Sequence, residues 1–171
     1  MARQTMTTGW ATIMVLTLVG LMAGALQAPV AAQTEDKLAS LIKDTGLKYK
    51  ALDEYSYHVP FELDDDRTLD VFVTYNNEEK KFVLIFTTLL DYEDGHEFKP
   101  EVMARALAIN NDYPVIKLCL DAEHGDLDCQ SEVYVRTLDA QSLDMHINLV
   151  AAIAAQLADE LKAMEEGEAV G

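Results

Sequence analysis

The stretch "IKLCLDAEHGDLDCQSEVYV", from Ile116 to Val135, decides the fold because it has the pattern of a β-hairpin. Apolar and polar residues alternate on both sides of a turn that contains His124 and Gly125. Such period-two alternation around a glycine-containing turn predicts two antiparallel strands that bury one face. The same stretch holds both cysteines of the chain, Cys119 and Cys129, so the pairing of its strands also bears on its chemistry.

The apolar pattern predicts the register of this hairpin. Its inward residues are Ile116, Leu118 and Leu120 on the first strand and Leu127, Cys129, Val133 and Val135 on the second. If the inward residues of the two strands pair with one another, Leu120 lies opposite Cys129. Cys119 then points to the other face of the sheet, so the two thiols do not meet. A shift of one residue, or a bulge near Gly125, would bring Cys119 and Cys129 together. A Cys119–Cys129 disulfide therefore stays open as an alternative.

The same residues fit a metal or thiol centre poorly. A site built from Cys119, His124 and Cys129 lacks the fourth ligand that tetrahedral zinc requires. The C-x-x-C spacing of catalytic thiol pairs is absent from the sequence. The hairpin therefore indicates a fold rather than a reaction.

The flanks of the hairpin extend the pattern in both directions. Downstream, a helix is predicted from Ala140 to Met164, with a heptad seam of apolar residues: Leu143, Ile147, Val150, Ala154, Leu157, Leu161 and Met164. A second apolar strip lies beside it at Leu149, Ala152 and Ile153. The seam and the second strip together form a wide apolar stripe. Either the whole stripe packs within one subunit, or part of it contacts a second subunit in a homodimer, and both alternatives stay open.

Upstream, the helix "KPEVMARALAINN" is preceded by three predicted strands and a first helix from Thr34 to Thr45. Pro60 cannot donate a ladder hydrogen bond, which predicts an edge position for the first of these strands. The third strand, "KFVLIFTTLL", is apolar on both faces and is predicted to be central. The resulting order, α-β-β-β-α-β-β-α with an antiparallel sheet, predicts an α+β fold.

The first 32 residues have the pattern of a secretory signal peptide. Arg3 precedes an uncharged apolar run from Ala11 to Leu26, and small residues lead to a cleavage site between Ala32 and Gln33. An uncleaved membrane anchor is the alternative. The predicted organisation is a signal peptide (1–32), one domain (33–165) and a frayed acidic tail (166–171), exported to the periplasm or the extracellular space.

Composition limits the partners. The net charge is −17, and removal of the first 32 residues takes away one base and no acid. Such a surface repels nucleic acid and anionic membranes, so we expect neither as a partner after signal removal. Cationic proteins, peptides and divalent ions are favoured.

Catalytic motifs are missing from the sequence. It contains no G-x-S-x-G or H-E-x-x-H motif and no glycine-rich phosphate loop, so we expect no cofactor and no enzyme activity. The acidic loops "DDDR" (from Asp64) and "DYEDGHE" (from Asp91) do not place glycine sixth after a leading aspartate, as an EF-hand loop does.

The element order, with "LAINNDYPVIKLCLDAEHGDLDCQSEVYVRTLD" as its most telling part, resembles the sensory-transduction-regulator (YbjN-type) family. That family is similar in fold to the class I type III secretion chaperones. The resemblance covers about Thr34 to Met164 and implies a small acidic protein, often dimeric, that binds other polypeptides and has no active site. Those chaperones work in the cytosol, whereas this chain carries an export signal.

Three functions follow as hypotheses. The first is an exported, non-enzymatic, chaperone-like module that binds a polypeptide partner at a strand edge or an apolar groove, with Phe72, Phe82 and Leu84 as candidate lining residues. The second is an exported metal-dependent hydrolase or cation-binding protein that uses the acidic loops near His96. The third is a purely structural envelope protein.

Overall fold

A computed structural model describes residues 36–63, 67–121 and 124–167. The predicted signal peptide with its cleavage site at Ala32 and Gln33, the acidic run 64–66, residues 122–123 of the hairpin turn, and the tail residues 168–171 lie outside the described residues.

The described elements follow the predicted α+β order, with one additional short strand. They are helix α1 (Lys37–Asp44), strands β1 (Lys50–Ala51), β2 (Ser56–Glu62), β3 (Thr68–Tyr75) and β4 (Phe82–Asp91), helix α2 (Pro100–Asp112), strands β5 (Lys117–Asp121) and β6 (Asp126–Tyr134), a short 3-10 turn (Val135–Thr137) and helix α3 (Ala140–Glu166). The extra element is β1, which pairs through two residues. The predicted fold class is confirmed.

The strands form one antiparallel sheet in the order β1-β2-β3-β4-β6-β5. Strand β4 lies between β3 and β6, as its two apolar faces predict. Because β1 pairs only with Tyr57 and His58, Pro60 lies where β2 itself forms the edge of the sheet. Pairing between β3 and β4 ends at Phe72 and Phe86, although both strands continue beyond that point.

The helices pack on one face of this sheet, which we call the inner face. Residues of alternate parity on the central strands, such as Val71, Val73, Val83 and Ile85, are fully buried there. Helix α3 contacts β3, β4 and β6, and it also contacts α1 and α2. Six of its seven heptad-seam residues are buried, and Met164 is partly buried, so the seam packs within its own subunit. No helix in the described ranges is long and apolar enough to span a membrane.

Side-chain and glycine caps set the helix ends. Asp36 accepts a hydrogen bond from Leu38 N and begins α1, and Asp139 accepts one from Ser142 N and begins α3. Gly167 adopts φ 78° and ends α3, a left-handed conformation that glycine takes at little cost. Helix α3 therefore includes Glu166, the residue at which the sequence predicted a frayed tail to begin.

Candidate interaction surface

The cysteine hairpin adopts a register two residues away from the predicted one. Leu118 lies opposite Cys129 and Cys119 lies opposite Asp128, so neither predicted register is correct. A shift of two residues leaves every side chain on its predicted face, and for that reason the apolar pattern could not detect it. The two thiols are free and lie on opposite faces of the sheet.

The two thiols have different surroundings. Cys129 is fully buried on the inner face, and burial raises its pKa to about 12. Cys119 is half-buried on the other face, where the amide of Gln130 donates to its sulfur. The two cysteines therefore do not form the candidate disulfide. Cys129 is an inert core thiol, and Cys119 is a partly accessible one.

Gly125 in the turn of this hairpin packs against the loop after β4. Gly125 adopts φ 79°, and a Cβ there would come within 2.4 Å of the carbonyl oxygen of Glu93. Asp121 accepts hydrogen bonds from the backbone N (3.2 Å) and the Nδ1 (2.9 Å) of His124. No group of three metal-ligating side chains is assembled within the described ranges.

His96, the centre of the hydrolase hypothesis, has a structural environment. Its ring stacks on Tyr92 at 4.2 Å between centroids, with Phe98 edge-on at 4.8 Å. Its Nε2 lies 3.0 Å from Oε1 of Glu165, whose other oxygen accepts from Lys99 N at 2.9 Å. Since Glu165 is 8% exposed, this cluster ties the loop before α2 to the end of α3.

One serine–histidine pair occurs in the core. Ser131 Oγ lies 2.9 Å from Nδ1 of His146, and desolvation lowers the pKa of the histidine. Ser131 is 2% exposed on the inner face beneath α3, so no substrate can reach its hydroxyl. The pair supports packing rather than nucleophilic catalysis.

The opposite face of the sheet, which we call the outer face, carries aromatic and aliphatic side chains away from the three helices. Phe72 stacks on Phe86 at 5.4 Å and on His58 at 5.5 Å, in one row across β2, β3 and β4. Phe82 lies opposite Tyr134 at 5.3 Å between ring centroids. These rings are half-buried or exposed, in contrast to the fully buried inner residues of the same strands.

The three candidate lining residues, Phe72, Phe82 and Leu84, all lie on this outer face. Sequence reasoning missed Phe86, Tyr134 and His58. The signal for Phe86 was present, because it has the same period-two parity as Phe82 and Leu84 on one strand. Tyr134 and His58 join the surface through strand pairing, which the sequence does not specify.

Carboxylates border the aromatic residues on the outer face. Asp70 lies 2.7 Å from Nε2 of His58, and Glu132 accepts from the amide of Asn76. Asp128 is half-buried and accepts from Thr88 Oγ1 at 2.8 Å. Burial, followed by the charges of Asp126 and Asp121, raises the pKa of Asp128, whereas the Thr88 bond lowers it.

Two features at the edges of the sheet oppose the addition of another strand. On β5, the side-chain amide of Asn110 donates to Leu118 O (3.1 Å) and accepts from Leu118 N (2.6 Å), so this backbone is already paired. On β2, Pro60 lacks an N–H at the edge that β1 leaves open. Both features disfavour the strand-edge mode of binding and favour binding on the outer face.

A second apolar surface lies on α3. Met145 is 55% exposed, and with Leu149 and Ala152 it lines a shallow hollow of about 740 Å³. Leu149 and Ala152 belong to the second strip predicted from the sequence, whereas its third member, Ile153, is buried within the subunit.

Comparisons with known proteins show the fold. No family model matches the sequence, and no curated protein matches it. The chain is similar to a structure of the HopA1–SchA chaperone–effector complex, with a TM-score of 0.52 and 12% identity over 72% of this chain and 94% of that one. It is also similar to a structure of the ExsC–ExsE complex, with a TM-score of 0.52 and 13% identity over 75% and 96% of the two chains. The protein therefore has the α+β fold of type III secretion chaperones.

Proposed function

We propose that this protein is a non-enzymatic, chaperone-like module that binds a polypeptide partner on the outer face of its sheet. The observation that carries the proposal is the aromatic surface of Phe72, Phe86, Phe82 and Tyr134, which faces away from the three helices. Aromatic clusters that stay partly exposed on a folded domain are typical of protein-binding surfaces. The similar solved structures, described as a chaperone–effector complex and an ExsC–ExsE complex, give the same fold a polypeptide partner.

Face binding is favoured over two alternatives. Strand addition is disfavoured by Asn110 on β5 and by Pro60 on β2. A hydrolase built around His96 would have to release the histidine from Glu165 and from its two aromatic neighbours. In the acidic loop after β4, the backbone of Glu93 packs against Gly125 of the hairpin turn.

The proposal includes export and membership of the YbjN-type family. Export rests on the pattern of residues 1–32, with cleavage between Ala32 and Gln33, and places the mature domain in the periplasm or the extracellular space. The family rests on the element order of the sequence. A homodimer, if formed, would use the hollow at Met145, Leu149 and Ala152. Sedimentation at high micromolar concentration tests this part: a wild-type dimer that Leu149→Asp converts to a monomer supports it, and a wild-type monomer overturns it.

A capture experiment with two matched variants tests the function. Immobilised wild-type protein, mature from Gln33, is incubated with a periplasmic or extracellular extract, and bound polypeptides are identified by mass spectrometry. Phe72→Thr combined with Phe86→Thr should abolish capture of the specific partner, whereas Met145→Thr on α3 should leave it unchanged. Capture that is indifferent to the outer-face variant, or no specific capture at all, contradicts the proposal.

A further inference from the structure

The outer face has a charge pattern that restricts its partner. Its carboxylates lie on several strands: Asp70 on β3, Asp91 on β4, Asp121 on β5, and Asp126, Asp128 and Glu132 on β6. The lysines on this face lie on the two edge strands, Lys50 on β1 and Lys117 on β5. The aromatic row in the centre is therefore bordered by negative charge.

Asp128 is the carboxylate of this group with the most specific surroundings. It lies directly opposite Thr88 on β4, which donates the 2.8 Å hydrogen bond, and directly opposite Cys119 on β5. Phe86 is opposite Gln130, which makes its ring the diagonal neighbour of Asp128 across the two strands. A half-buried carboxylate thus lies beside the edge of the aromatic row.

No lysine or arginine neutralises this carboxylate within the described ranges. The neighbouring charges that act on Asp128 are those of Asp126 and Asp121, which are negative. Lys117 on β5 lies opposite Gln130, two residues along β6 from Asp128. Its ammonium group donates to the carbonyl oxygen of Asn110 at 3.0 Å. A partly desolvated charge without an opposite charge is costly, so a cation that arrives with a partner gains more here than on an open surface.

The described part of the chain contains the same combination of groups at Lys80. Lys80 places its Nζ 3.2 Å from the ring centroid of Tyr55 and 3.5 Å from Oδ2 of Asp36. A ring face next to a carboxylate is therefore a cation-binding arrangement that this protein already contains. At Phe86 and Asp128 the ring and the carboxylate are present, and the cation is the missing component.

We propose that Asp128 and Phe86 seat a lysine or arginine side chain of the bound polypeptide, so that the partner segment is apolar and basic rather than apolar alone. This inference rests on the proposed function. It specifies a segment in which aliphatic residues cover the Phe72–Phe86 row and a cationic residue reaches Asp128. An extended segment meets this requirement, because alternate side chains point to the same face.

Three labelled synthetic peptides of equal length test the inference by fluorescence anisotropy. In all three, every second residue is Ser, and the positions between carry Val with one central Lys, Ser or Glu. Val and the variable residue then point to the same face of an extended segment. We call these the Val–Lys, Val–Ser and Val–Glu peptides. Wild-type protein should bind the Val–Lys peptide most tightly. Asp128→Asn should weaken that binding by about 3- to 10-fold, as the loss of one partly solvent-exposed polar contact does, and should leave Val–Ser binding unchanged. Glu101→Gln, which removes an equal charge from exposed α2, is the matched control and should bind as wild type does.

The outcomes separate the inference from the proposed function. Equal binding of Val–Ser and Val–Lys, or equal losses in Asp128→Asn and Glu101→Gln, overturns the inference and leaves polypeptide binding intact. Failure of all three peptides and of the extract capture overturns the proposed function, and the inference with it. Thermal melting of both variants checks that each is folded.

Discussion

Cys119 and Cys129 occupy opposite faces of the same hairpin, Cys119 across from Asp128 and Cys129 across from Leu118. Neighbouring strands are close enough for a disulfide only when the two side chains share a face, so this register keeps the thiols apart. We expect the protein, mature from Gln33, to contain two free thiols.

Thiol titration checks this expectation. In native protein, Cys119 should react with Ellman's reagent, while Cys129 should react only after unfolding, because burial raises its pKa to about 12 and blocks access. Cys119→Ser serves as the control and should remove the native reaction alone. Complete absence of thiols in exported protein would contradict the register and require a bulge or an intermolecular bond.

The Asn110 side chain should stabilise the β5 edge. Asn110→Ala removes both hydrogen bonds to Leu118, and we expect a loss of about 1–3 kcal/mol in the free energy of unfolding. Asn111→Ala, an exposed neighbour on the same helix end, should cost less than about 0.5 kcal/mol. Urea unfolding of the two variants measures the difference, and faster hydrogen exchange at the Leu118 amide should accompany the larger loss. Equal stabilities would show that the edge does not depend on this amide.

Such contacts mark the limit of what the sequence predicts. Period-two alternation with apolar residues of both parities predicted that "KFVLIFTTLL" is a central strand, and β4 does lie between β3 and β6. The register of the cysteine hairpin did not follow, because a shift of two residues preserves every face. Asn110 was recognisable as the end of a helix, but its bonds to a strand eight residues away depend on how helix and sheet meet.

The candidate surface was predictable to a similar degree. Phe72, Phe82 and Leu84 were chosen from the sequence as candidate lining residues, and the strand pairing places all three on the outer face. The stack of Phe72 on Phe86 and the contact of Phe82 with Tyr134 require the order of strands in the sheet. His96 illustrates the opposite error, because a histidine in an acidic loop resembles a ligand until Glu165, 69 residues away, appears as its partner.

Glu165 should hold the loop that contains His96 against α3. Glu165→Ala leaves His96 Nε2 and Lys99 N without their acceptor, and we expect a cost of about 1–3 kcal/mol in the free energy of unfolding. Glu166→Ala removes an exposed carboxylate one residue later, whose contact with Lys162 is 3.9 Å long, and should cost less than about 0.5 kcal/mol. Denaturant unfolding separates the two, and a negligible effect of Glu165→Ala would assign the cluster no structural role.

The Ser131–His146 pair should make the protein less stable in acid. Desolvation lowers the pKa of folded His146, so the unfolded chain binds the proton first as the pH falls below about 6.5. The contribution of neutral His146 to the free energy of unfolding is therefore fully present above that pH and is lost as the pH falls below it. His146→Gln should therefore show a smaller fall in melting temperature between pH 7.5 and pH 5 than wild type does. His124→Gln, in the exposed turn, is the control, and an identical pH dependence of wild type and His146→Gln would contradict the assignment.

Ile85 and Phe86 are consecutive on β4, and comparing them separates folding from binding. Ile85 is fully buried under α3, so Ile85→Ala should cost about 2–5 kcal/mol in the free energy of unfolding. Phe86 is half-buried on the outer face, and Phe86→Ala should cost roughly 1 kcal/mol through its lost stack with Phe72.

Affinity for the partner should depend more on Phe86 than on Ile85, the reverse of their effects on stability. Phe86→Ala should weaken binding of the captured polypeptide, or of the Val–Lys peptide, by about 10-fold or more, as truncation of an aromatic anchor does. Ile85→Val, which keeps the core filled, should bind as wild type does. Urea unfolding and anisotropy on the same preparations measure both quantities. If Phe86→Ala lost stability as Ile85→Ala does and kept wild-type affinity, the outer face would be an ordinary part of the core, and the binding surface would lie elsewhere on the molecule.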